Sequence, residues 1–467
     1  MNLFGARVLI VGMGVSGHGV AEALRSRGVR LSLAEDVEEL RLEAIQSAYF
    51  ESTGTIAELI DSPWDLVVVS PGISPLRLGR EPQAGSVIGE LELGWLLADA
   101  PVSAITGTNG KTTVATLTSL MLGETAVLCG NAGVSFAAVA QSSASRYVVE
   151  ASSFQLTWAP TFSPASATWT NFTPDHLDWH GSLGEYRRAK AKLFAQLAPG
   201  SAAILNADDP VVLSTPLPEG VRRVTFSIEG EADYMLRNGS LLGPCEVELM
   251  PVASLGRSGP IAVANALAAW ATADVAGVEL DRVRATLVEF TGLEHRQEQV
   301  GEINGIVYVN DSKATTPVAA AAGIMSFDHV ILIAGGRGKG LSFEPMAAVA
   351  NRVRCVVAIG ECGPEVAALF RSHNVPVKLA NSMREAVALA SAEARSGDVV
   401  LLGPGAASFD WYRSYAHRGS DFKALVRERL AGAAHQTREG STDVSSAQDH
   451  ESDTGREQRS RRRREGQ

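Results

Sequence analysis

Short apolar runs alternate with helical-period segments along most of this chain. Arg7–Val11 is an apolar run that ends in glycine, and GMGVSGHGVAEALRSRG, from Gly12, places apolar residues at helical spacing. Runs at Val29–Ala34 and Leu66–Val69 follow, the latter closed by Ser70-Pro71-Gly72. Continuous apolar strands alternating with helices predict a parallel sheet covered by helices. Residues 1–97 therefore read as a Rossmann-like domain.

A second series starts near Pro101. Val102–Ile105 predicts a strand, GTNGKTT a turn, and VATLTSLMLG a helix. Tyr147–Val149, Ala165–Thr170 and Ala202–Leu205 predict further strands, and residues 225–257 read as short strands with Gly and Pro turns. ANALAAWATADVAG, from Ala264, predicts a helix ended by Gly277. Residues 98–297 make a central domain of the P-loop ATPase type. In the third series, runs at Ile306–Val309, Val330–Ala334, Val353–Ile359 and Val399–Leu402 predict a second Rossmann-like domain over 298–431. The expected class is α/β, with three domains each built on a mostly parallel sheet with flanking helices.

Composition narrows the function. At 467 residues, two to four domains are expected. The four cysteines form no CxxC pair, which argues against a disulfide scaffold and a structural zinc site. Apolar runs are strand-sized, so no membrane insertion is expected, and the N-terminus does not read as a signal peptide. From Gly432 the sequence is polar and carries seven Arg against seven Asp or Glu. The net charge of −11 therefore sits on residues 1–431, an acidic body that repels nucleic-acid phosphates. Residues 432–467 are expected to form a solvated, disordered tail, with a basic cluster at Arg459–Arg464.

Several motifs carry chemistry. Gly107-Thr108-Asn109-Gly110-Lys111-Thr112-Thr113 lies between a strand and a helix. Glycines let the backbone N–H groups curl inward around phosphates, Lys111 can reach the β- and γ-phosphates, and Thr112 can hold Mg²⁺. Ile105 stands where a full GxxxxGKT would have its first glycine. Gly12-Met13-Gly14-Val15-Ser16-Gly17, with Glu35 or Asp36 about twenty positions on, fits the dinucleotide fingerprint. NAD and any other diphosphate ligand, including a UDP-sugar, use the same helix N-terminus. Glu150 at a strand end suits a Mg²⁺ ligand. Asn171–His180 gathers two carboxylates and two imidazoles, and Glu185–Phe194 is a basic helix. Asn310–Thr315 and Gly335–Gly340 follow strands of the last domain, where ligands gather in open α/β sheets.

Taken in order, GxGxSG, SPG, GTNGKTT, GNAG, EASSFQL, DHLDWHGS, YRRAK, LEHRQE, NDSKATT, GGRGKG and ASFDWY resemble the Mur ligase family across about residues 5–430. NDSKAT followed by GGxGKG is similar to the branch that adds D-glutamate, and the DNPR motif expected of the diaminopimelate- or lysine-adding branch is missing. The resemblance implies an ATP-dependent ligase of cytoplasmic peptidoglycan precursor synthesis, acting through an acyl phosphate on UDP-N-acetylmuramoyl-L-alanine. Mg²⁺ is implied as cofactor, and a monomer is expected.

The residue roles are implied in the same way. Lys111, Glu150, His176 and Lys190 would be catalytic. Gly107 to Thr113, Asn265, Arg296 and Asp311 would bind ATP. Val15, Ser16, Glu35, Asp36, Ser70, Gly72, Asn131 and His176 would face the UDP-muramoyl substrate. Lys313, Thr315, Lys339, Ser408, Phe409 and Tyr415 would hold D-glutamate. Thr112, Glu150, His176 and a carbamylated Lys190 would hold metal, Tyr186 setting the register that selects Lys190 over Lys192. Three departures stand out. GPIAVANALAA keeps only Asn265 of the expected HNxxN, Arg337 stands where an acidic residue is common, and Glu35-Asp36 replaces Asp-Thr. A shared reaction implies that the last domain closes about a hinge near Leu293–Glu298.

Overall fold

The computed structural model describes residues 3–432 except 47–48, 80, 132, 258 and 339. The tail expected from 432 onward lies outside them beyond Gly432, as does Lys339. The described chain divides into two compact units between Thr291 and Gly292.

The first unit holds two sheets. Strands β1 (Arg7–Val11), β2 (Arg30–Ala34), β3 (Ser52–Gly54), β4 (Leu66–Val69) and β5 (Val87–Gly89) form one, in the order β3-β2-β1-β4-β5. Every pairing in it is parallel. The order reverses between β1 and β4, so the glycine turn after β1 and Ser70-Pro71-Gly72 after β4 open side by side.

The other sheet contains β6 (Val102–Thr106), β7 (Ala126–Gly130), β8 (Arg146–Glu150), β9 (Ser166–Trp169), β10 (Ala202–Asn206), β11 (Arg222–Ser227), β12 (Tyr234–Arg237), β13 (Ser240–Leu242) and β14 (Glu248–Pro251). Its order is β14-β13-β12-β11-β10-β9-β6-β8-β7. It is parallel from β7 to β12, and β12, β13 and β14 pair antiparallel. β6 thus sits between β8 and β9, and the loops leaving these three strands emerge together. One apolar core includes Val8 and Ile10 of β1, Phe136, Trp169 and Leu205, so residues of both sheets share an interior. Burial of this kind stabilises by about 25 cal/mol per Å² of apolar surface.

The second unit carries β15 (Glu298–Ile303), β16 (Ile306–Asn310), β17 (Val330–Gly335), β18 (Val353–Ile359), β19 (Val377–Ala380) and β20 (Val399–Leu402). The order is β15-β16-β20-β17-β18-β19, antiparallel only at β15. The ends of β16, β20 and β17 are therefore neighbours. Among the described residues no helix is long and apolar enough to cross a membrane.

Candidate active site

The turn after β6 leads into the helix Lys111–Leu122. Gly107 and Gly110 both have positive φ, 152° and 82°. A Cβ at Gly107 would run into Thr170 Oγ1, and one at Gly110 would stand 2.5 Å from Asn265 Oδ1. Glycine is needed at both positions for conformation and for space. The second contact also sets Asn265, carried by the helix Pro260–Val275, against the turn. The segment after β9 clamps the other side. Asn171 Oδ1 accepts from Asn109 N at 2.8 Å while its Nδ2 donates to Asn109 O at 3.1 Å. Thr108 Oγ1 accepts from Thr173 N at 3.0 Å and meets the Tyr186 hydroxyl at 3.0 Å.

Two lysines converge on one carbonyl. Lys111 Nζ donates to Gly107 O at 3.0 Å and to Thr108 O at 2.9 Å. Lys190 Nζ donates to the same Gly107 O at 2.6 Å and lies 4.9 Å from the centre of the Tyr186 ring. Lys190 is only 1% exposed. Burial, and next the Lys111 ammonium, hold its amine well below the usual lysine range, against the opposing fields of Asp175 and Glu150. Lys192, two residues on, instead donates to Thr157 O at 3.1 Å.

Glu150 ends β8 and is likewise 1% exposed. Its Oε1 accepts from Asn131 Nδ2 at 2.7 Å, and its backbone O accepts from Asn131 N at 2.8 Å. Its Oε2 is buried without a hydrogen-bond partner among the described residues. A buried carboxylate oxygen in that state is costly unless a cation meets it. No group of three His, Cys, Asp or Glu side chains able to hold a metal stands together among the described residues. A Mg²⁺ site here would draw on Glu150 Oε2, the Thr112 hydroxyl and ligand oxygens, the hard donors this ion prefers, and the residues present fit it.

His176 takes a left-handed conformation, φ 53°, at the start of the short helix Leu177–His180. Its Nε2 lies 3.3 Å from Asp175 Oδ2, and its ring packs on Phe154 with centroids 4.6 Å apart. His180 is buried and its Nε2 meets Ser153 Oγ at 2.9 Å. The two imidazoles of the motif thus have different surroundings.

At the first sheet, Val15 is 74% exposed and Ser16 half-buried on the opening turn of the helix Val15–Arg25. Ser70 Oγ donates to Gly12 O at 2.7 Å. A Cβ on Gly72 would meet nothing within 4 Å, so that turn opens to space. Glu35 is buried, and its two oxygens accept from Met13 N at 2.7 Å and Val37 N at 2.9 Å. Its carboxylate braces the glycine turn. Asp36 is the more exposed of the acidic pair, accepting from Ile56 N at 3.1 Å with Arg77 3.6 Å away.

Arg296 and Asp311 belong to the second unit. Asp311 is buried and its Oδ1 accepts from Gln297 N at 3.1 Å. Lys313 Nζ sits 3.9 Å from the centre of the Tyr415 ring, a cation–π distance, and Thr315 follows on the same loop, half-buried. Ser408 is buried, whereas Phe409 is 62% exposed. Arg337 makes two contacts with Glu361, at 3.0 and 3.1 Å, so its charge has a carboxylate partner within the unit.

Sequence reasoning overlooked Arg418. It is 1% exposed and donates to Ser312 Oγ, Ser312 O, Ala406 O and Ala407 O at 3.0 to 3.2 Å. Burial lowers its pKa to about 10. It ties the loop after β16 to the loop after β20. Nothing in its local sequence distinguishes it from the exposed arginines nearby.

Residues 105–273 match the Mur ligase middle domain, and residues 295–406 the glutamate ligase domain of Mur ligases. The UDP-N-acetylmuramoylalanine–D-glutamate ligase of Frankia casuarinae is 39% identical over 448 residues, 91% of this chain and 94% of that protein. The enzyme of the same name from Pelotomaculum thermopropionicum is 38% identical over 453 residues, 90% of this chain and 97% of its own length. In fold, the structure of UDP-N-acetylmuramate–alanine ligase from Thermotoga maritima superposes with a TM-score of 0.56 at 19% identity, covering 91% of this chain and all of that one. A glycine turn carrying Lys111 beside a second, buried lysine, two matched domains in order and near end-to-end alignment with curated relatives converge on one assignment: the chain belongs to the Mur ligase family.

Proposed function

We propose that this protein joins D-glutamate to UDP-N-acetylmuramoyl-L-alanine at the expense of ATP, as a cytoplasmic monomer in peptidoglycan precursor synthesis. The observation that carries the chemistry is the pair of lysines on Gly107 O, next to a strand end whose Glu150 has an oxygen without a hydrogen-bond partner among the described residues. The substrate pair follows the names of relatives aligned along about nine-tenths of the chain. The division into domains at 1–97, 98–297 and 298–431 belongs to the same proposal.

In the first step a carboxylate oxygen of the muramoyl substrate attacks the γ-phosphorus, and the bond to the β-phosphate oxygen breaks to release ADP. The amine of D-glutamate then adds to the carbonyl carbon of the acyl phosphate. The tetrahedral intermediate expels phosphate, the amine loses its proton, and an amide remains. Lys111 and the amides of residues 107–113 stabilise charge on the transferring phosphoryl group. Thr112 and Glu150 would hold Mg²⁺, which when bound neutralises the β- and γ-phosphates; His176 would hold a second Mg²⁺, and a carbamylated Lys190 would supply further oxygen ligands. Lys190 suits carbamylation because its buried amine favours the neutral form: nitrogen bonds the carbon of CO₂ and one proton leaves. Asn265, Arg296 and Asp311 contact ATP. Asn131 and His176 contact the muramoyl group, with Val15, Ser16, Glu35, Asp36, Ser70 and Gly72 around the uridine diphosphate. Lys313, Thr315, Lys339, Ser408, Phe409 and Tyr415 recognise D-glutamate, a dicarboxylate suited to cations and hydroxyls.

Phosphate release across a panel of muramoyl nucleotides and amino acids tests this reading. Release above background is expected only for UDP-N-acetylmuramoyl-L-alanine with D-glutamate. Equal release with L-alanine on the unsubstituted muramoyl nucleotide would move the protein to another branch of the family.

A further inference from the structure

The helix Glu90–Leu97 brings two carboxylates, Glu90 and Glu92, into the interior of the first unit, each 1% exposed. Glu92 accepts from the backbone N–H and hydroxyl of Thr161. Glu90 is placed differently. Its Oε1 accepts from Ser135 Oγ at 2.6 Å and from Ala137 N at 2.8 Å. Its Oε2 is buried without a hydrogen-bond partner among the described residues. The Gln155 side chain lies beside it, and burial pushes the carboxyl toward its neutral form.

The two segments that meet at Glu90 both lead to the candidate site. One runs from Asn131 to Ser135 after β7, and Asn131 holds Glu150 through both side chain and backbone. The other is the turn at Ser152 and Gln155, where Gln155 Oε1 accepts from Ser152 N at 3.0 Å, two residues past Glu150. Glu90 therefore touches the chain on both sides of the Asn131–Glu150 pair. Burying a carboxyl costs stability that an apolar side chain of similar volume would not. A local cost of this kind points to a role beyond packing.

We propose that Glu90 is a positioning residue for the ligase reaction: it holds Ser135 and Ala137 to the Ser152–Gln155 turn and so fixes Asn131 and the Glu150 carboxylate. This rests on the reading that Asn131 contacts the muramoyl group and Glu150 serves Mg²⁺.

The test compares Glu90→Gln with Glu90→Leu in the full-length enzyme. Glutamine imitates the neutral acid and keeps an acceptor for Ser135 and Ala137. It is expected to hold kcat and both KM values within about threefold of wild type. Leucine leaves those donors unpaired. It is expected to raise the KM for UDP-N-acetylmuramoyl-L-alanine, its calorimetric Kd measured without metal, and the half-activating Mg²⁺ concentration, each about tenfold (about 1.4 kcal/mol), leaving the KM for D-glutamate unchanged. A merely structural role would lower Tm and move none of these. If the leucine variant does not fold, Ser135→Ala removes one donor and is expected to shift the same quantities in the same direction. A folded variant with muramoyl Kd and Mg²⁺ dependence within twofold of wild type overturns the proposal, as does a glutamine variant as impaired as leucine. Wild-type enzyme that releases no phosphate with D-glutamate overturns the underlying ligase reading, and this proposal with it.

Discussion

Lys111→Ala is expected to lower kcat about 10³-fold while the protein remains folded. Charge spreads over the equatorial oxygens of the phosphoryl group during transfer, and a positioned cation stabilises it more in the transition state than in the ground state. Removing one such donor costs about 10²–10³ in rate, and Lys111 is the cation at the mouth of the turn, bonded to Gly107 O and Thr108 O. Alanine is also the best helix former at the first position of Lys111–Leu122, so circular dichroism and Tm should change little. Single-turnover phosphate release is the measurement. A variant within tenfold of wild type would show that another group carries the charge.

Lys190→Ala is expected to lose at least about 10²-fold in kcat, with partial recovery on adding acetate or formate. Removing the buried side chain frees space beside Gly107 O in which a small carboxylate can replace a carbamate. Arginine or methionine at this position should not be rescued. Stability gives a second readout in CO₂-free buffer. The folded amine binds its proton less readily than the unfolded one, so between its lowered pKa and the ordinary lysine value of about 10.4 the unfolded state holds more protons. Wild-type stability should therefore rise with pH through that window, and Lys190→Met should flatten the slope. Loss of activity without rescue, together with an unchanged pH slope, would remove the carbamate from the account.

The fold was most legible where strands are buried on both faces. Leu66–Val69, Val353–Ile359 and Val399–Leu402 appear with the ends their apolar runs predict, because a central parallel strand has no polar face to confuse the pattern. Edge strands were harder to see. Ser52–Gly54, Val87–Gly89 and Val377–Ala380 are only three or four residues long, and Ala126–Gly130 lies at the margin of its sheet. The helix Pro260–Val275 starts four residues before the predicted Ala264, since proline at its first turn is a helix opener rather than a breaker.

The site was legible as loops at strand ends but not as contacts. Spacing places Lys111 on a glycine turn at the start of a helix. It does not show that Lys190, carried on a helix 79 positions later, ends on the carbonyl of Gly107. Glu35 reads as a ligand from its spacing, while its two oxygens receive backbone N–H groups. That bracing depends on how the turn after β1 folds over the end of β2. Arg418 was invisible for a similar reason, two of its four acceptors lying on Ser312, more than a hundred positions away, and the other two on the loop at Ala406 and Ala407.

The acyl phosphate is best tested by isotope transfer. UDP-N-acetylmuramoyl-L-alanine labelled with ¹⁸O in its free carboxylate, turned over with ATP and D-glutamate, should yield inorganic phosphate carrying one ¹⁸O from the substrate. Phosphate without label, formed in step with the amide, would mean that ATP never phosphorylates the carboxylate.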